Sequence, residues 1–321
     1  MTGSLRYLDL NTALRNRFGL RVQKVTLDAG FTCPNRDGTR GSGGCIYCNA
    51  QGSGSGRYRS QPNVLEQLRE GILFCRRRYK AEKFLAYFQS FSNTYGPLLH
   101  LERLYRGVLA EPDVVGLSIG TRPDCLDEEK LDLLAELASS SMVWLEIGLQ
   151  SASDATLHRI NRGHTVAEFE WAVREAHKRH LQVCVHVILG LPGEDRSTIM
   201  HTADYCAFLG VEGVKLHQLY VERGTVMEEE YRSARYRPLS RETYVEWVVD
   251  FLERLPAQTV IQRLTGDPIP DRLVAPDWSL EKHETRRLIH QRLEERQTFQ
   301  GARYAPAADV PGCDTKTEQL D

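Results

Sequence analysis

The chain has 321 residues, 41% hydrophobic and 26% charged, which suits one large folded domain or a domain with an extension. A formal net charge of −2 does not mark it as a nucleic-acid binder, although basic clusters at 57–59, 76–80, 232–237 and 286–287 leave room for one. There is no run of about 18 apolar residues to cross a membrane, no apolar signal core at the polar N-terminus, and eight cysteines are too few for a disulfide scaffold, so a cytoplasmic chain without a membrane partner is expected.

The first 20 or so residues are helix-like. From there short β-branched runs alternate with amphipathic ones. Strands are expected at 22–30, 83–90, 113–121, 142–150, 182–193 and 213–221, with helices at 63–80, 98–110, 127–140, 165–180 and 195–210. Thr165 with Glu168 three residues on has the spacing of a capping box. Beyond about 225 the alternation stops: helices at 241–255 and 280–300 flank a strand or loop at 259–276, and the tail from 306 is expected to be disordered.

Alternating strands and helices imply an α/β fold with a parallel sheet of right-handed βαβ units. Six units predict a (βα)6 partial TIM-like barrel over residues 1–225, followed by a mostly helical C-terminal extension over 226–305; a doubly wound open sheet stays open as an alternative. Both architectures bind ligands at the carboxyl ends of the strands. Polar residues collect there: Gln89 and Ser90, Thr121 and Arg122, Gln150 and Ser151, His217 and Gln218.

The loop after the first strand, GFTCPNRDGTRGSGGCIYCN, carries Cys33, Cys45 and Cys48. Soft thiolates favour zinc or iron–sulfur clusters. Three of them hold three corners of a 4Fe–4S cluster and leave one iron open, which is what catalysis requires. No histidine stands within the loop to complete a zinc tetrahedron, and the next downstream is His100. A catalytic cluster is therefore favoured, with a zinc site completed from elsewhere, or no metal, as the alternatives. Gly38, Gly41, Gly43 and Gly44 allow such a loop to wrap a cluster. Cys184 and Cys206 lie in apolar patterns and read as buried small hydrophobes.

The three-cysteine loop with Tyr47 before its last cysteine resembles the radical S-adenosylmethionine (SAM) superfamily. The C-x11-C-x2-C spacing departs from the commonest C-x3-C-x2-C. Together with FQSFSNTY, GTRPDCL, LEIGLQS, INRGHT, VHVILGLPGE and QRLTGDPIPDRLVAPDW, it resembles the YhcC/YtqA-type branch, related to the catalytic subunit of Elongator, over roughly residues 15–305.

The resemblance implies a 4Fe–4S cluster on Cys33, Cys45 and Cys48 whose open iron binds SAM. Reduction then cleaves the cofactor to a 5′-deoxyadenosyl radical that abstracts hydrogen from substrate. Gln89, Ser92 and Asn93 stand where relatives carry a glycine-rich motif for the methionine amino group. Gln150 and Arg162 match a cofactor-contacting pair of coproporphyrinogen-type relatives, and His186 aligns with another such position. Gly120 stands where some relatives carry a strand-ending glutamate, so that contact is either lost or supplied by Thr121. A surface or helix-capping role for Arg162 and a satisfied core role for His186 are the plain alternatives. Cys125, just past the third strand, is the candidate catalytic thiol, set against a loop cysteine of no function. Arg122 and Asp124 either pair with each other or meet the ligand, and His164 caps the following helix. Glu146, mid-strand, must be paired if it points inward.

For partners, the resemblance implies a flavodoxin-type electron donor and a tRNA substrate, with the wobble uridine's 5-substituent as target. No acetyltransferase sequence follows the barrel, so remodelling of a carboxymethylaminomethyl group toward aminomethyl is implied. A small-metabolite or protein substrate, or a non-catalytic zinc module, are the rival readings.

Overall fold

The computed structural model describes residues 6–50, 52 and 63–306. The basic cluster at 57–59, Cys313 and nearly all of the expected tail lie outside these residues. Strands β1 (Val22–Leu27), β2 (Lys83–Phe88), β3 (Val114–Thr121), β4 (Met142–Gln150), β5 (Gln182–Leu189) and β6 (Gly213–Gln218) lie side by side, all parallel and in chain order. β7 (Val221–Glu222) leaves the sheet, β8 (Val260–Arg263) returns to lie parallel against β6, and β9 (Leu273–Ala275) pairs antiparallel with β7. A doubly wound sheet must reverse its strand order; this one never does. It is an open, curled half-barrel.

Helices connect the strands: α1 (Leu10–Phe18), α2 (Val64–Tyr79), α3 (Leu98–Leu109), α4 (Glu128–Ala138), α5 (Asp154–Arg159), α6 (Val166–Lys178) and α7 (Arg196–Phe208). α8 (Val226–Arg232), α9 (Arg241–Arg254) and α10 (Lys282–Glu295) follow. Their starts are set by side chains that satisfy free backbone N–H groups: Asn63, Asp127 and Asp195 cap α2, α4 and α7. The capping box of Thr165 and Glu168 opens α6 as its spacing predicts.

β4 shows why the strands read as apolar runs: it is buried along its whole length. Val143, Leu145, Ile147 and Leu149 join one core with Phe169, Ala172 and Val173 of α6. Each such side chain contributes roughly 1.5–3 kcal/mol on burial. The alternate residues, Glu146, Gly148 and Gln150, line the barrel cavity. α1 closes the amino-terminal end, where Leu14 packs with Val22, Leu85, Met142, Trp144, Cys184 and Val260. The carboxyl end of the sheet is left to the loops.

Past residue 225 the structure departs from the expected end of the alternation. β8 gives the half-barrel a seventh strand, drawn from the extension. Its four residues, half of them polar, are too short a run to carry a periodic signal. Short α5 and α8 escape notice for the same reason.

Candidate functional site

One cavity of about 610 Å3 opens among the barrel strands and is lined by Cys33, Cys45, Cys48, Tyr47, Gln89, Ser92, Thr121, Gln150, Arg162 and His186. Residues from the ends of β3 and β4, from β5 and from the loops after β1, β2 and β4 thus converge, as the strand-end rule expects. Asn93 and Cys125 stand apart from the lining. Asn93 donates its side-chain amide to the Gly120 carbonyl at 2.8 Å and accepts from Tyr105 at its own carbonyl, tying the β2 and β3 loops together. Cys125 is 3% exposed, and burial, then Asp124, push its thiol up to about 12. Cys125 is thus a buried, protonated thiol outside the cavity lining.

The cysteine loop has no long run of regular structure, and polar side chains hold it. Arg36 donates to the carbonyls of Cys48 at 3.0 Å and Asn49 at 2.5 Å. Gly44 leaves room for it, with φ +79° and space that a Cβ would fill at 2.9 Å from Arg36 Nε. The turn after α5 clasps the other side. Ile46 N–H donates to the Ile160 carbonyl at 3.1 Å, and Asn161 donates to the Gly44 carbonyl at 2.8 Å. Asn35 reciprocates to the Asn161 carbonyl at 2.6 Å.

Arg162 continues this clasp. It is 7% exposed, which removes the surface alternative. It donates to Cys45 Sγ at 3.6 Å, to the Gly148 carbonyl at 2.9 Å and to His164 Nε2 at 2.9 Å. Burial raises the Cys45 pKa, but the guanidiniums of Arg162 and Arg122 outweigh it and leave the thiol below its ordinary value. At Cys48 the Arg36 guanidinium does not outweigh them, and burial and Cys45 push the thiol up to about 11. His164 is no helix cap. Burial, then Arg162, hold it down at about 2, so its neutral ring accepts from Arg162. Arg122 grips Asp124 in a fork of two 2.8 Å bonds and donates to the Arg162 carbonyl at 2.8 Å.

Gln150 ends β4 at a register shift with φ +74°, a rarely populated angle for a residue with a side chain. The irregularity turns it toward Arg162. A Cβ on Gly148 would lie 2.6 Å from Gln150 Nε2 and 2.7 Å from Arg162 Nη2, so only glycine seats this pair. Gln150 Oε1 is buried with no donor among the described residues.

Deeper in the barrel lies a cluster of which the sequence expectations held only Glu146 and His186. This fully buried carboxylate accepts from Lys24 at 2.5 Å, Ser118 at 2.6 Å, His186 at 2.8 Å and Lys215. Burial opposes its charge, yet Lys215 and Lys24 hold the carboxyl well below its usual range. Lys24 also donates to Gln262 at 2.6 Å. His186 thus meets both alternatives: it is satisfied by Glu146 and it lines the cavity. The same signal that marked Glu146, a charge within a strand pattern, was available for Lys24 and Lys215.

Among the described residues no group of three or more His, Cys, Asp or Glu side chains is placed to hold a single metal ion. A four-iron cube asks for something else, since it spreads its thiolates over different irons. The three thiols around one cavity, a glycine-bearing loop and donors aimed at Cys45 suit that donor set.

Comparison with known proteins agrees with this geometry. The Radical SAM superfamily model matches residues 35–206, and the Radical SAM C-terminal domain model matches 211–295. The uncharacterized protein YtqA of Bacillus subtilis is 41% identical over 92% of each chain. Protein YhcC of Escherichia coli is 38% identical over 83% of this chain and 85% of its own. Among solved structures, the archaeal Methanocaldococcus infernus Elp3 shares the fold with a TM-score of 0.64 at 17% identity, over 87% of this chain and 64% of its own. A half-barrel with three thiols at its open end, matched by that family along most of its length, leaves one assignment: the chain belongs to the radical SAM superfamily and is an enzyme of the radical SAM type.

Proposed function

We propose that this chain holds a 4Fe–4S cluster on Cys33, Cys45 and Cys48, binds SAM beside it, and modifies the 5-substituent of a wobble uridine in tRNA. The observation that carries the reading is the single cavity shared by the three cysteines and the polar strand ends. When bound, the cluster supplies the electron that cleaves the sulfonium of SAM to a hydrogen-abstracting radical.

The chain's own residues do the rest. Arg162 donates to Cys45 Sγ and tunes that ligand through charge. Its other donors are spent on Gly148 and His164, so the cofactor's ammonium falls to Gln150 Oε1, the buried acceptor without a donor. Gln89, Ser92 and Thr121 flank it on the neighbouring strand ends, while Tyr47 and His186 bound the cavity wall. Cys125 and Asn93 support the loops.

The RNA substrate rests on the resemblance to the Elongator branch and on exposed basic residues. Arg77, Arg78 and Lys80 at the end of α2, and Arg235 and Arg237 beyond α8, are exposed and outside the ion pairs of the described residues, and they are suited to phosphates. Binding to tRNA that weakens steeply with added salt is expected; salt-insensitive or absent binding would count against RNA and for a small metabolite.

The test of the chemistry is protein reconstituted without oxygen, reduced with dithionite in the presence of SAM, and assayed for 5′-deoxyadenosine. Wild type should form it and Cys45→Ala should not. A protein carrying zinc without iron and forming no product would overturn the reading. Transfer RNA from cells lacking the protein should accumulate an unprocessed wobble uridine.

A further inference from the structure

The cavity carries a charge imbalance that the cluster and cofactor leave unexplained. Lys24 and Lys215 share one carboxylate, Glu146. Arg263, at the end of β8, lines the same cavity, and among the described residues no carboxylate lies within ion-pair reach of it. The other acids on the wall are engaged: Asp267 holds Lys282 at 2.9 Å, and Glu222 accepts from Asn49. His186 and His217 add no counter-charge, being neutral. Arg263 thus faces the cavity without a carboxylate, beside two lysines that already share the one on Glu146, an arrangement that favours the entry of an anion.

The position of Arg263 says which anion. By register it stands level with Lys215, and Lys215 level with His186. That level corresponds to Gly148 on β4, just short of the strand end Gln150, where the cofactor is proposed to lie. The guanidiniums that bear on Cys45 and Cys48 are Arg162, Arg122 and Arg36. Arg263 instead bears on Tyr87, His186, His217 and Tyr220. A nucleic-acid substrate that reaches this depth does so with a base substituent, not with its phosphates. A planar guanidinium matches a carboxylate through two parallel bonds.

We infer that Arg263 receives a carboxylate at the tip of the substrate's reacting side chain and so selects a 5-substituent that ends in a carboxylate over one that does not. This rests on the wobble-uridine reading above. The residue is a specificity determinant, supplied by the strand that the C-terminal extension adds to the barrel.

The experiment uses reconstituted holoprotein without reductant, so that nothing turns over. Binding is measured to two anticodon stem-loops, one bearing 5-carboxymethylaminomethyluridine at the wobble position and one bearing 5-aminomethyluridine. Wild type should prefer the first by about 10- to 100-fold, the range of one charge-assisted pairing. Arg263→Gln should erase the preference and keep the affinity for the second stem-loop, which also reports that the variant is folded. Arg263→Lys should restore part of it. Equal loss for both stem-loops, or a preference that survives in Arg263→Gln, overturns the inference while leaving the RNA reading in place. Weakened SAM binding by Arg263→Gln without RNA would assign the guanidinium to the cofactor's carboxylate and also overturn it. If wild type binds neither stem-loop, the wobble-uridine reading falls, and this inference with it.

Discussion

The cysteine loop and the ion cluster around Glu146 face one cavity from opposite construction principles. The loop consists of turns tied down by its own Arg36 and Asn35 and, from outside, by Asn161 and Arg162, mostly through side-chain donors to backbone carbonyls. The ion cluster sits on strands: Lys24 on β1, Ser118 on β3, Glu146 on β4, His186 on β5 and Lys215 on β6. A backbone that must wrap an inorganic group cannot be regular, so its shape is held by a few replaceable bonds. A wall that presents charge to a substrate gains from strands whose register is fixed by the whole sheet. Damage to the first should therefore cost the bound group, and damage to the second should cost the fold.

Glu146→Gln should show the largest effect. It leaves two buried lysines without a counter-charge, at a cost of about 3–5 kcal/mol in urea unfolding. A loss below about 1 kcal/mol would mean that water or anions already neutralise these lysines. Arg36→Ala should do the reverse. Iron should leave to a chelator about tenfold faster, the worth of a charge-assisted bond, while unfolding shifts by less than about 0.5 kcal/mol. Equal effects on both readouts would erase the distinction between the two regions.

Acid sharpens the same contrast. His186 is held at about 4 by burial and then Lys215, and His217 at about 3 by burial and then Arg263, both below the ordinary 6.5. Between those values and 6.5 the unfolded chain binds protons that the native barrel refuses. Stability should thus fall as pH drops from about 6.5 toward 4, by about 1.4 kcal/mol per pH unit per histidine. The depressed Glu146 carboxyl adds further loss only below the ordinary carboxylate range. His217→Gln should flatten the slope; an unchanged slope would place the titration elsewhere. The smallest effect is expected at a helix cap that does not line the cavity. Thr165→Ala removes a cap from α6 and should cost about 1 kcal/mol without changing iron content.

Much of this molecule was legible in one dimension. The six strands of the alternating region and the helices between them follow from periodicity, because both faces of a parallel strand are buried and the pattern is dense. Among the described residues no helix is long and apolar enough to cross a membrane. The cysteine loop could be read because a metal motif is compact in sequence. A cofactor-contacting role for Arg162 could be proposed only through resemblance, and its contact with Cys45, which spans 117 positions, was not foreseen.

Other features had no local signature. β8 is four residues long and half polar, so nothing in it announces a strand until β6 offers an edge. Cys125 and Asn93 sit in the loops on either side of β3, beside residues that do line the cavity, and which of them turns inward depends on how the loops fold over one another. The meeting of Lys24, Glu146 and Lys215 required the curl of the sheet, since their pairings span 122 and 69 positions. Sequence by itself determined the repeating units and the thiol set, because each is encoded within a few turns of chain. Only the tertiary structure decided which charges share the cavity and leave Arg263 without a carboxylate among the described residues, because burial and distance are properties of the closed wall rather than of any strand in it.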